Sequence, residues 1–119
     1  MIRIIGAVLL AVSLAACASP FKSPYNKPDG RVLIVSQRDW ADFQTYLSKI
    51  GPTHRGAFAM GVYGDRSDGW ADSYCAHDVC YGGKGVENAA MDYCRQAGGL
   101  CVLFARNRDI LVNYKVEDQ

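Results

Sequence analysis

The chain is short of several things at once. Lys and Arg number 13 against 12 Asp and Glu, so neither sign of charge dominates, and the basic residues form no cluster. A nucleic-acid partner calls for a basic patch or stripe, so none is expected. Histidine occurs only as His54 and His77, and no serine sits in a G-x-S-x-G elbow. A serine or cysteine nucleophile with a histidine base and an orienting carboxylate therefore has few places to form. No C-x-x-C opens a helix, where the dipole would lower a thiol pKa for redox work. The apolar run Ile4 to Leu14 has 11 residues, about half of the ~20 that a spanning helix needs.

Two metal patterns fail on spacing. A zinc site pairs closely spaced cysteines with closely spaced histidines. Here Cys75 and Cys80 enclose a single His77, and six residues separate Cys94 from Cys101. Asp65-Arg-Ser-Asp-Gly69 begins like a calcium loop, yet positions 3, 5 and 12 counted from Asp65 are Ser67, Gly69 and Ala76. That is not an oxygen set ending in Glu. Asp65, Asp68, Asp72 and Asp78 read as solvated turn carboxylates, and neither a metal nor any other cofactor is expected.

What the chain does have begins at its N-terminus. Arg3, the apolar run and Leu14-Ala15-Ala16-Cys17 read as an export signal over residues 1–16. The L-A-A-C ending resembles a bacterial lipobox, which implies cleavage before Cys17, diacylation of its sulfur and acylation of its amine. Ordinary cleavage leaving Cys17 as a free thiol is the alternative. Ala18, not Asp, follows the cysteine, and by the lipoprotein sorting rule this implies the bacterial outer membrane. Each buried CH₂ contributes ~0.8 kcal/mol, so several acyl chains anchor a protein without a spanning helix. The domain would then lie in the oxidising periplasm, where Cys75, Cys80, Cys94 and Cys101 are candidates for two disulfides.

Residues 17–30 carry Pro20, Pro24 and Pro28 without an apolar period, and read as a lipidated cysteine followed by a semi-stiff spacer. Residues 31–119 read as one domain. Arg31 to Val35 is a β-branched strand. Ser36 to Ile50 has helical spacing of Trp40, Phe43, Leu47 and Ile50, with Ser36 as cap and Gly51-Pro52 as stop. Ala57–Tyr63 and Trp70–Cys75 read as a hairpin around Gly64–Gly69. Tyr81 to Gly85 is a Gly-rich bend. Val86, Ala89, Ala90, Tyr93 and Ala97 share one face of a helix ending at Gly98-Gly99. Cys101–Ala105 and Ile110–Lys115 close the chain as strands. The order β-α-β-β-α-β-β predicts an α+β domain: a small antiparallel sheet with two helices packed on one face.

The run Gly56-Ala-Phe-Ala59, an aromatic strand ending in Cys75, then Cys80, an Ala-rich helix ending in Cys94, and Cys101-Val-Leu-Phe-Ala105 resembles an uncharacterised exported bacterial domain. It is similar to the domain-of-unknown-function families found in secreted proteins and lipoproteins of proteobacteria, over about residues 31–115. The resemblance implies a periplasmic location and a small disulfide-bonded α+β fold. It brings no catalytic residue with it.

Four cysteines allow three pairings. Cys75–Cys80 and Cys94–Cys101 are expected on chain geometry. Cys75 ends a strand and Cys80 returns after a short excursion, while Gly98-Gly99 reverses the chain and carries Cys101 back beside the helix end that holds Cys94. The crossed arrangement, Cys75–Cys94 with Cys80–Cys101, is the alternative. For function, the sequence predicts a non-catalytic envelope lipoprotein, tied to the membrane through Cys17, whose domain binds a periplasmic partner. An inhibitor of a lysozyme or protease is a specific version, with His77, Tyr81 and Lys84 as candidate contact residues. The rival is a small hydrolase of cell-wall material using Asp or Glu with His77; its carboxylate separation is a three-dimensional property that sequence does not fix.

Overall fold

Side-chain size alternates along Gly56-Ala-Phe-Ala-Met60, and every residue of this run is buried. Successive side chains of a strand point to opposite faces. Phe58 and Met60 accordingly join one apolar cluster with Phe43, Tyr46 and Ile50, while Ala57 and Ala59 join another with Val86, Ala90, Met91 and Cys94. Strand β2, Arg55–Tyr63, is thus covered on both sides. The large residues meet an aromatic helix and the small ones meet an Ala-rich helix.

The computed structural model describes residues 21–51, 55–75 and 85–118. The remaining elements are β1 (Leu33–Val35), α1 (Gln37–Ile50), β3 (Arg66–Cys75), α2 (Val86–Gln96), β4 (Leu100–Arg106), β5 (Asp109–Ile110) and β6 (Tyr114–Val116). They make one sheet in the order β5-β4-β2-β3-β1-β6. The β2–β3, β2–β4 and β4–β5 pairs are antiparallel, whereas β1 runs parallel to both β3 and β6.

The α+β class holds, and two finer expectations are corrected. The sheet is mixed, not purely antiparallel, and it has a sixth strand. The helices lie on opposite faces, not on one. Strands of three residues, such as β1 and β6, carry too little pattern to state their direction. A continuously buried strand is the signature of a sheet covered on both sides.

Local signals explain the helices. Ser36 Oγ accepts from the Asp39 N–H at 3.0 Å, capping α1. Gly51 ends it at φ 59°, its N–H donating to Leu47 O, a conformation that favours glycine. Gly56 has no room for a side chain: a Cβ there would lie 2.7 Å from Ile50 Cγ2 and 2.8 Å from Tyr46 Oη. The Tyr46 hydroxyl donates to Asn107 O at 2.7 Å, and Asn107 Oδ1 accepts from the Gly56 N–H at 3.1 Å. These bonds tie α1 to β2 and to the β4–β5 turn.

The Pro-rich segment differs from its sequence reading as a spacer. From residue 21 onward it belongs to the fold. Tyr25 is buried in the α1-side cluster. The Tyr25 carbonyl accepts from Asn113 N–H at 2.9 Å, and Lys27 N–H donates to Leu111 O at 3.0 Å. Asn26 forms a bridge with Val112. Proline fixes φ without preventing its neighbours from being buried, and the Tyr25 ring supplies an apolar surface to bury.

Candidate functional site

The pairing of β2 with β3 is irregular between Met60 and Val62: Met60 faces Trp70, but Val62 faces Ser67. Asp68 and Gly69 together oppose the single residue Gly61, which makes a bulge with one extra residue in β3. Gly61 permits it, since a Cβ at that position would lie 2.6 Å from Asp68 O. The bulge turns β3 toward the N-terminus of α1, where side chains hold it. Asp39, 2% exposed, accepts from the Gly69 N–H through Oδ2 at 3.3 Å. Ser67 Oγ accepts from the Ser36 N–H at 2.9 Å. Between the two elements lies an open cleft of about 540 Å³ lined by Ser36, Arg38, Asp39, Ser67, Asp68, Gly69 and Trp70. A smaller depression of about 260 Å³ beside Tyr63 and Arg66 shares Ser67 and Asp68 with it.

Trp70 forms one end of the cleft and is 37% exposed. Three contacts fix its ring. It stacks on Phe58 with centroids 5.2 Å apart and planes 12° from parallel. Its Nε1 donates to Asp42 Oδ2 at 2.7 Å. The Lys49 ammonium lies 6.0 Å from its centroid. With period two along β3, Asp72 and Tyr74 continue the Trp70 face. Lys49 pairs with Asp72 at 3.5 Å and lies 5.9 Å from the Tyr74 centroid. The site thus combines a guanidinium, a solvent-facing carboxylate and a half-exposed indole held in one orientation. It offers hydrogen bonds and a flat apolar surface to an extended ligand. Among the described residues no group of His, Cys, Asp and Glu is placed to hold a metal ion.

The residues singled out from sequence fall elsewhere. His77, Tyr81 and Lys84 lie outside the described residues, as do His54, Cys17 and Cys80. The Cys94–Cys101 disulfide is present, with Cα atoms 6.2 Å apart, and this excludes the crossed pairing of Cys75 with Cys94. The Cys75–Cys80 pairing has one end outside the described residues. Trp70, Arg38 and Asp68 were not marked as site residues by sequence reasoning. Gly69, read from the sequence as the end of the hairpin turn, lies inside β3 directly before the tryptophan, and a glycine within a strand marks a bulge.

No family model, curated protein or solved structure matches the chain. The likeness to exported domains of unknown function therefore rests on the residues quoted for it.

Proposed function

We propose that the chain is a non-catalytic envelope lipoprotein whose domain binds a periplasmic partner at the Trp70 cleft. Support for the anchor comes from Leu14-Ala-Ala-Cys17 after an apolar run. Support for binding comes from one observation above all, the immobilised and half-exposed Trp70 ring beside an open polar cleft. Tryptophan is the side chain most enriched among residues that dominate binding energy, and a ring already fixed loses little entropy on contact. Arg38 and Asp68 at the rim suit a partner with polar groups around an apolar centre.

The hydrolase reading has one feature in its favour: two carboxylates, Asp39 and Asp68, line the same cleft. Asp39, however, already serves the fold by holding the Gly69 N–H. This favours a structural role for it over an acid–base role.

A photo-crosslinking residue in place of Arg38 tests the binding reading in intact cells. A discrete adduct is expected, lost on Trp70→Ala and kept on Tyr93→Ala, a change at an exposed aromatic of α2. Absence of any adduct, or equal adducts in both variants, would reject the cleft as the binding site. Labelling with a fatty-acid analogue tests the anchor separately: label on the wild type and none on Cys17→Ala is the expected result.

A further inference from the structure

The tether left to this domain is far shorter than its proline-rich sequence suggests. Phe21 already belongs to the fold: it packs against the α2-side cluster together with Leu111, and its carbonyl accepts from Asn26 Nδ2 at 3.1 Å. Only residues 18–20 separate it from Cys17. Four Cα–Cα steps span at most ~15 Å. If the anchor reading is right, on which this inference rests, the domain lies against the bilayer and is not held away from it.

The end of the sheet near this exit has the chemistry of a membrane interface. Tyr25, four residues past Phe21, reaches the β2–β3 turn, its hydroxyl donating to Asp65 Oδ1 at 2.5 Å. Beside the turn stand the most exposed large apolar side chains of the described residues, Tyr63 at 81% and Leu100 at 75%. Leu100 is the cross-strand partner of Val62, next to Tyr63. Lys22 and Lys27 are exposed and form no ion pair among the described residues. The segment that carries both lysines is joined to this turn by the Tyr25–Asp65 hydrogen bond, and exposed apolar side chains combined with unpaired Lys is how interfacial proteins divide groups between the acyl boundary and lipid phosphates.

We infer that the β2–β3 turn end is a membrane-contacting surface: Tyr63 and Leu100 enter the headgroup layer of an anionic phospholipid bilayer, and Lys22 and Lys27 face its phosphates. The short tether makes this contact intramolecular, so weak individual contributions suffice once the acyl chains are inserted.

The test uses the mature full-length protein in vesicles of phosphatidylethanolamine and phosphatidylglycerol, read by hydrogen exchange at residues 62–66 and 99–101. Acylation is checked on the same sample by mass spectrometry. A variant with a ~20-residue Gly/Ser insertion between Ala18 and Ser19 has a reach of ~25 Å and lets the domain leave the surface. Protection in the wild type, lost in the insertion variant and in Tyr63→Ser with Leu100→Ser, is the expected result. Acylated protein with equal exchange in all three overturns the membrane contact and leaves the anchor standing. Protein without acyl mass overturns the anchor reading and this inference with it.

Discussion

The Tyr25 hydroxyl donates to Asp65 Oδ1 at 2.5 Å, joining the proline-rich segment to the β2–β3 turn across 40 residues of chain. Arg31 completes the junction with an ion pair to the same oxygen at 3.1 Å, and its guanidinium lies 5.2 Å from the Tyr25 ring centroid. Asp65 has φ 65°, a left-handed conformation that Asp tolerates better than most residues. A stretch that reads as linker is thereby fastened to the hairpin.

This junction predicts an acid response. The Tyr25 hydrogen bond is the main cause holding the Asp65 carboxyl below its ordinary range, with Arg31 assisting. A carboxyl with a depressed folded value stabilises the protein above the ordinary Asp value of about 4. That contribution is lost as pH falls through the folded value. Tyr25→Phe removes the main cause, so its stability should fall less steeply below about pH 4 than that of the wild type. Urea midpoints taken across the acid range decide this, and parallel slopes would show that the bond has no influence on Asp65.

Phe43 is the centre of the aromatic core. Its ring lies 5.0 Å from Phe104, 5.2 Å from Phe58 and 5.7 Å from Tyr46, and it is 1% exposed. Phe43→Ala should cost ~3–5 kcal/mol. Trp40→Ala should cost less, because Trp40 only packs against the margin of that cluster. A denaturation midpoint unchanged in Phe43→Ala would mean that α1 does not pack on the sheet as described.

Both helices and the cap of α1 were legible in the sequence, because each rests on a local signal. The hairpin was legible as a pairing, but its turn is Gly64-Asp65 and β3 begins at Arg66, not at Trp70. Ser36 and Gly51 bracket α1, and Gly98-Gly99 follows α2. The two faces of the sheet were not legible as such. Ala57, Phe58, Ala59 and Met60 read as one apolar run, and only the packing shows that alternate members belong to different helices. Tyr25 misled for a different reason: proline-rich composition argued for solvent, while the buried Tyr25 ring and backbone hydrogen bonds to Leu111 and Asn113 fasten the segment. The cleft depends on a bulge, and Gly69 was its one local trace. Its lining joins Arg38 and Asp39 to Asp68 and Trp70, a distance in sequence that no short motif spans.

The Cys94–Cys101 bridge closes a loop with a sequence separation of 7. On the chain-entropy account, a loop this short contributes ~2–3 kcal/mol through the unfolded state. Cys94→Ala with Cys101→Ala should lower the urea midpoint by a corresponding amount while the Arg38 crosslink persists, since both cysteines lie on the α2 side. Loss of the crosslink in a folded double variant would connect the α2 face to binding.

The orientation of Trp70 should depend on Asp42. Asp42 Oδ2 is the acceptor for the indole N–H at 2.7 Å, while Phe58 supports the ring by stacking. Asp42→Asn keeps an acceptor oxygen in place, whereas Asp42→Ala leaves the N–H to water and frees the ring to rotate off Phe58. Trp40 contributes the other indole fluorescence, so the comparison belongs in a Trp40→Phe background. There, Asp42→Ala should make Trp70 emission redder and more readily quenched by acrylamide, and Asp42→Asn should stay near the parent. The crosslink from position 38 should weaken in Asp42→Ala and survive in Asp42→Asn, because a ring that must be re-ordered on contact gives up part of the binding free energy. Emission unchanged in Asp42→Ala would show that stacking on Phe58 alone holds the indole. A crosslink equally strong in both would remove ring orientation from the account of binding.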